Sequence, residues 1–319
     1  MILKKMNIYN YIKNGYLISD EMLDKSQVSS LRQDLLEEFS LTSNNRVPKR
    51  INEFKNVKLI KQIINLYNHP SLKKMIKELE REYKSEIALL PSFEVHKNYH
   101  VNLKEFHGWH RDCGGELKYN YCMDIIYSKN YFFSKVGFFL QKNEDFGGSI
   151  DIIQTSHKNF SKYKFLIRKI KNVPLRIVMF FHKYFNKLYN FIPENFFMFF
   201  LGAKKLKPKV GTAVLFDSRI IHRGSPIEKK NLNNVKFEKG MFQAYLPEEL
   251  NKYSIYCQIG NSKSVDSYMY DRLKREENAD ELKFWLQQID FIAKFDKKIT
   301  DKIDLVLNPI KEKYKSYLI

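Results

Sequence analysis

Short β-type runs framed by turn residues limit the folds open to this chain. Between about residues 87 and 153, runs rich in Val, Ile, Tyr and Phe alternate with Gly, Asn and Asp clusters such as CGGE and KNEDFGG. β-Branched and aromatic residues favour strands, and the clusters favour turns. A further strand pair is predicted from Gly211 to Ile221. Many short strands of this kind indicate a sandwich or jelly roll rather than a parallel sheet with alternating helices.

Helical patterns flank this β region on both sides. A short strand is predicted at about residues 16–18, and apolar residues at helical spacing follow Ser19 and Asp20, which are candidate helix caps. A second helical stretch spans about residues 57–83, and Pro70 interrupts it because proline disfavours helix in the residue before it. Residues 262–319 are again helical in pattern. We therefore predict a mainly β protein with flanking helices.

Charge and cysteine usage bear on partners and compartment. The formal net charge is +19 in 319 residues, which favours an anionic partner, although a lysine-rich composition alone gives the same number. Three cysteines without CxxC spacing indicate reduced thiols. The N-terminal residues lack the apolar core of a signal peptide, and no uncharged apolar stretch of about 20 residues occurs. These features predict a cytoplasmic protein without a transmembrane span.

Three residues form a candidate metal-binding set. His110 and Asp112 stand two positions apart in HGWHRDCGG, a spacing that points both side chains to one face of a strand. His222 follows at the end of a predicted strand in FDSRIIHRG. Together they make a 2-His-1-carboxylate set, which occupies one side of an octahedral iron(II) and leaves positions open for other ligands.

The surrounding motifs resemble those of the phytanoyl-CoA dioxygenase family of iron(II)- and 2-oxoglutarate-dependent oxygenases, over most of residues 8–260. The matching pieces are NGYLIS, GWHRD, KVGFFLQKNEDFGGSIDIIQTSHK and GTAVLFDSRIIHRGSP, in the order that the family has them. The resemblance implies a double-stranded β-helix core of jelly-roll or cupin-like type. It also implies that His110, Asp112 and His222 bind Fe(II), that 2-oxoglutarate and O2 are co-substrates, and that the reaction is a hydroxylation. Because relatives that halogenate lack the carboxylate, Asp112 disfavours halogenation.

The family's anchor for the distal carboxylate of 2-oxoglutarate departs from the pattern here. An arginine normally follows the distal histidine by about eleven residues, and this sequence has none there. Lys252 opens the strand-like run KYSIYCQIG and is our predicted replacement, with Lys236 and Lys239 as competitors. Arg223, next to the distal histidine, is a further candidate for contact with 2-oxoglutarate or substrate.

We expect an oxygenase domain over residues 1–260 and a C-terminal helical extension over 261–319 that packs on the same domain. A basic aromatic insert at about 158–209 has thirteen Lys or Arg and one acid, with Phe and Tyr interleaved. It is either a surface decoration or a segment that contacts a membrane surface or an anionic carrier.

The expected substrate is a small, lipid-linked, glycan-type or otherwise carrier-linked molecule, which an anionic group would suit, and nucleic acid is not the expected partner. The alternative function is a non-catalytic basic protein that holds an anionic glycan, lipid or nucleic acid.

Other residues near these motifs have structural interpretations. Trp109 is expected to pack against its neighbours, and Asp217 and Arg219 are expected to form a structural ion pair or a turn. Three histidines precede the metal motif and are expected to lie outside the active site: His96, His100 and His107.

Overall fold

The computed structural model describes residues 8–40, 49–98, 100–102, 109–112, 130–141, 150–159, 173–174, 177, 180, 194–225, 236–237, 243–245, 252–276 and 280–318. Every strand pair among these residues is antiparallel. The strands are β1 (Tyr16–Glu21), β2 (Lys49–Arg50), β3 (Ala88–Leu89), β4 (Glu94–Asn98), β5 (His100–Asn102), β6 (Phe133–Phe139), β7 (Ile150–Ile153), β8 (Ala203–Lys205), β9 (Thr212–Asp217), β10 (Ile221–Gly224), β11 (Lys236–Phe237), β12 (Gln243–Tyr245) and β13 (Lys252–Gly260).

A seven-stranded sheet forms one layer of the core. Its order is β1-β9-β6-β13-β4-β2, and β3 pairs with β13 beside this path. Two three-stranded sheets have the orders β10-β7-β8 and β11-β12-β5. This arrangement of antiparallel sheets with flanking helices confirms the predicted jelly-roll fold class, and the sheets do not close into a barrel within the described residues.

Helices precede and follow the strands, as the sequence predicted. They are α1 (Ile8–Asn14), α2 (Lys25–Ser40), α3 (Val57–Asn65), α4 (Pro70–Tyr83), α5 (Glu194–Phe200), α6 (Ser262–Glu276), α7 (Asp280–Ala293) and α8 (Lys297–Lys313). Pro70 is the first residue of α4, a position where its missing N–H costs nothing, so the predicted interruption is confirmed. Among the described residues no helix has the length and apolar character needed to cross a membrane.

The predicted cap of the first long helix is wrong. Ser19 and Asp20 lie inside β1, and the Ser19 hydroxyl accepts a hydrogen bond from the backbone N–H of Ala213 on β9. The helix starts later, where Asp24 and Gln27 accept each other's backbone N–H groups in a reciprocal capping box. Pairing with β9 extends the strand beyond the residues whose local pattern favoured it.

The two faces of the large sheet have different partners because successive side chains on a strand point to opposite sides. One set, which includes Val136, Leu215 and Ile255, joins a continuous apolar core with both the N-terminal and the C-terminal helices. The other set, which includes Val214 and Phe216, packs against Ile152 of β7 in a smaller cluster. The site described next lies on this second face.

Candidate metal centre

The side chains of His110, Asp112 and His222 converge. One potential ligand atom from each lies within 4.8 Å of the other two. His110 Nε2 is 3.7 Å from Asp112 Oδ1, and His222 Nε2 is 3.6 Å from Asp112 Oδ2. Neighbouring ligands of an octahedral ion with bonds of about 2.1 Å are roughly 3 Å apart, so a small contraction would close this set around a metal ion.

The backbone brings the two histidines together. His110 and His222 form an isolated antiparallel bridge in which each N–H donates to the other's carbonyl oxygen at 2.9 Å. Their rings therefore lie side by side, with centroids 4.3 Å apart. The strand geometry expected for this pair is wrong for Asp112, which lies in a bend rather than in a strand. The position of its side chain therefore depends on Arg111, the residue between His110 and Asp112.

Arg111 fastens this bend to the rest of the site. Its Nε donates to the carbonyl oxygen of Arg219 at 2.8 Å, and Nη2 donates to that of Ser156 at 3.4 Å. The Ser156 hydroxyl accepts from the backbone N–H of Ile221 at 2.8 Å. Ser156 belongs to the central loop motif that the sequence analysis matched, and it braces the start of the strand that carries His222.

The protonation state of His222 suits a metal ligand. Burial lowers its pKa to about 4, so the imidazole is neutral near pH 7. Nδ1 lies 3.1 Å from the carbonyl oxygen of Ile220, and an N–H at that position leaves the Nε2 lone pair directed toward Asp112. The residue thus presents one nitrogen donor in a fixed orientation.

Asp112 is held as a carboxylate. Burial opposes its ionisation, but the positive charge of Lys135 and the two nearby imidazoles outweigh that penalty, so its pKa is about 2. Lys135 Nζ donates to Oδ1 at 3.1 Å. The second oxygen, Oδ2, is buried without a hydrogen-bond partner in the described part of the chain. A buried carboxylate oxygen in this state is costly unless something binds it.

These donors fit a divalent metal ion. Two imidazole nitrogens and one carboxylate oxygen from one side suit iron(II), and Oδ2 of Asp112 accepts no hydrogen bond from the residues that the structure describes. A cavity of about 230 Å³ opens beside the ligands. Polar side chains dominate its lining, which includes Ser92, Glu94, Arg111, Lys135, Tyr256 and Gln258.

The sequence analysis did not identify Lys135. It lies on β6, directly opposite Gln258 of β13, on the sheet face that carries the site. The sequence does contain a hint of this residue. A lysine is unusual inside the apolar run YFFSKVGFF, because a strand with both faces buried gives its charge no route to solvent and so requires a polar partner.

Arg223 lies deeper than a surface arginine. It is fully buried, and its guanidinium contacts Asp151 Oδ2 at 2.8–2.9 Å and covers the Trp109 ring at 4.9 Å from the ring centroid. Ser225 donates to the other Asp151 oxygen at 2.6 Å. The structure thus places Arg223 in an ion pair behind the ligand strand, and Trp109 is buried as expected.

The remaining candidates are only partly described. The backbone of Lys252 starts β13 opposite Asn98, and Lys236 starts β11, while Lys239 and His107 lie outside the described residues. His96 pairs with Glu94 at 3.5 Å rather than with the ligand set. The predicted ion pair of Asp217 and Arg219 is confirmed at 2.6 Å.

The solved structures that match this chain include one with 2-oxoglutarate bound and one of an α-ketoglutarate-dependent epimerase. HygX from Streptomyces hygroscopicus with nickel and 2-oxoglutarate bound is 14% identical. The match covers 81% of this chain and 87% of the HygX chain, with a TM-score of 0.44. The non-heme α-ketoglutarate-dependent epimerase SnoN from nogalamycin biosynthesis is 11% identical. The match covers 80% of this chain and 79% of the SnoN chain, with a TM-score of 0.42. No protein-family model matches the sequence, and no curated protein matches it. At such identities and scores, function has to come from the residues of the site itself.

Proposed function

We propose that this protein is a non-haem iron(II)- and 2-oxoglutarate-dependent dioxygenase that hydroxylates a small or carrier-linked substrate, as its resemblance to the phytanoyl-CoA dioxygenase family implies. The observation that carries the proposal is the convergence of His110, Asp112 and His222, with one Asp112 oxygen buried and without a hydrogen-bond partner among the described residues. Bound iron, 2-oxoglutarate and O2 would supply the oxidising power, while the protein supplies ligand geometry and orientation.

The chain's own residues divide this work. His110, Asp112 and His222 would hold the metal, and Arg111 keeps the bend between the first two ligands in place through Arg219 and Ser156. Lys135 places a positive charge beside the carboxylate ligand, at the wall of the cavity. The polar lining of that cavity suits a co-substrate with two carboxylates.

We further propose that Lys135 binds a carboxylate of 2-oxoglutarate, with Lys252 as the alternative. Lys135 lines the cavity together with Tyr256 and Gln258 of β13. The backbone of Lys252 lies four residues before Tyr256 and six before Gln258 on that strand, which at about 3.3 Å per residue is roughly 13 Å and 20 Å away. A lysine provides a point charge rather than the two-pronged contact of an arginine, so other cavity groups must help to orient the ligand.

The first test adds iron(II) and then 2-oxoglutarate to the purified protein without oxygen, and follows the weak visible charge-transfer band. The wild type should develop the band, whereas His110→Ala and Asp112→Ala should not, because the metal loses a ligand. His69→Asn is the matched control, since His69 caps α4 and takes no part in the ligand set. Iron binding without a band on addition of 2-oxoglutarate would contradict the proposal. Failure to bind iron, together with salt-dependent binding of polyanions, would support the non-catalytic alternative.

The anchor is tested by titrating 2-oxoglutarate against iron-loaded Lys135→Met and Lys252→Met. Losing a hydrogen bond to a charged group should weaken 2-oxoglutarate binding by roughly 10- to 100-fold in Lys135→Met, and Lys135→Arg should recover part of it. Iron affinity measured without 2-oxoglutarate separates this effect from disturbance of Asp112. Weaker binding in Lys252→Met with an unchanged Lys135→Met would assign the anchor to Lys252.

A further inference from the structure

Exposed hydrophobic side chains concentrate in the basic aromatic insert, residues 158–209. Eleven large hydrophobic residues among those described are exposed, and six of them fall between positions 173 and 200. Three lie on the seven-residue helix α5, where Phe196 is 56%, Phe199 86% and Phe200 43% exposed. The others are Val173, Ile177 and Phe180. Three exposed phenylalanines on one short helix indicate contact with a partner.

The charge around these side chains indicates what kind of partner they meet. The insert has thirteen Lys or Arg and one acid, Glu194. Lys204, Lys207 and Lys209, which follow α5, are all exposed. Contact surfaces between proteins are depleted in lysine, whereas interfacial membrane segments combine lysine with phenylalanine. An anionic lipid surface satisfies both the apolar and the basic side chains.

The exposed helix packs behind the strand that carries His222, against the side chain of Arg223. Met198 of α5 places its sulfur 3.7 Å from Nη2 of Arg223, and the Arg223 guanidinium lies over the Trp109 ring. Arg223 directly follows the ligand His222, and Trp109 directly precedes the ligand His110. After α5 the chain continues into β8, which pairs with β7, and β7 pairs with the strand of His222.

We propose that α5 and the basic residues that follow it as far as Lys209 dock the protein on an anionic membrane surface, with Phe196, Phe199 and Phe200 entering the lipid interface. Docking itself does not depend on the proposed enzymatic function.

The docking test is co-sedimentation with vesicles of phosphatidylcholine alone or mixed with phosphatidylglycerol. Wild type should bind the anionic vesicles more strongly, and the triple variant Phe196→Ser/Phe199→Ser/Phe200→Ser should bind them roughly tenfold or more weakly, because apolar area no longer enters the interface. The matched control is Val57→Ser/Leu305→Ser/Tyr317→Ser, whose parent side chains are 53%, 64% and 51% exposed outside the insert. Lys207→Glu/Lys209→Glu should reduce the preference for anionic lipid.

The two tryptophans of the chain report where the membrane lies. Trp109 is beside Arg223, while Trp285 is fully buried within α7. With vesicles of brominated lipid, fluorescence of Trp285→Phe, which retains Trp109, should be quenched more than that of Trp109→Phe, which retains Trp285. This comparison requires no iron and no activity.

Three results would overturn the docking proposal. They are failure of wild type to bind either vesicle, equal losses in the phenylalanine variant and its control, and quenching of Trp285 as strong as that of Trp109. The first would leave the phenylalanines as a contact for another protein. His110→Ala should bind vesicles like wild type, so a failure of docking and a failure of the iron test are distinguishable.

Discussion

Two lysine–carboxylate pairs in this molecule, one buried and one at a cavity wall, have different surroundings. Lys49 contacts Glu38 at 2.6 Å, and the Glu38 carboxylate also accepts hydrogen bonds from the backbone N–H groups of Lys55 and Asn56. Lys135 contacts Asp112 at 3.1 Å, but one Asp112 oxygen has no hydrogen-bond partner among the described residues. The first carboxylate is saturated, whereas the second retains binding capacity.

The two lysines also differ in how much of the side chain is exposed. Lys49 lies over the rings of Phe39 and Phe54 and its side chain is only 8% exposed, while that of Lys135 is 27% exposed at a cavity wall. A buried ion pair is therefore not in itself a sign of function. What marks a site is a charged group that the fold holds in place and leaves with an unused ligand atom.

The largest expected difference is in stability. Lys49→Met should lower the free energy of unfolding by about 3–5 kcal/mol, because it leaves the Glu38 carboxylate buried without its cation. Urea unfolding measures this change. A loss below about 1 kcal/mol would show that backbone hydrogen bonds alone hold the carboxylate, and the contrast between the two pairs would fail.

Metal binding should distinguish the pairs in the opposite sense. Fe(II) added without oxygen, at about 100 times its Kd, should stabilise the wild type by about 2.7 kcal/mol, because it binds only the folded protein. Thermal unfolding with and without metal tests this. Asp112→Ala should abolish the gain, and Glu38→Gln should retain it even though its baseline stability is lower. A gain lost in both variants would contradict the separation of roles.

A smaller effect is expected in acid. Burial opposes ionisation of Glu38, but Lys49 and the two backbone N–H groups lower its pKa below the ordinary value of 4.5. The unfolded chain therefore takes up the proton first, so this contribution to stability is complete above about pH 4.5 and is lost as pH falls through the folded value. The stability of Glu38→Gln should fall less steeply over that range, as urea unfolding at several pH values would show. Parallel curves would contradict this assignment.

Lys135→Met should give the smallest decrease in the free energy of unfolding, about 1 kcal/mol or less. The Lys135 side chain is 27% exposed, so solvent screens the negative charge that the substitution leaves on Asp112. Unfolding of the iron-free protein in parallel with Lys49→Met measures it. A loss as large as that of Lys49→Met would make Lys135 a structural residue first.

The candidate metal-binding set could be picked out from the sequence because two of its members lie close together there. His110 and Asp112 are two residues apart, and His222 follows a clear strand pattern. Lys135 was not found because its contact with Asp112 depends on strand register, which places β6 beside β13. The partner of Arg223 was missed for the same reason, since Asp151 is 72 positions away. Long-range pairing decides such contacts, and a local pattern does not contain it.

The position of β13 has a consequence for how the protein folds during synthesis. This strand begins at Lys252, yet it lies in the middle of the large sheet, between β6 and β4. Until it emerges from the ribosome, β6 and β4 each have an open edge, and open edges invite pairing with other chains. The large sheet is therefore complete only after β13 has been synthesised. We expect chaperone binding to protect the nascent chain most before β13 leaves the ribosome.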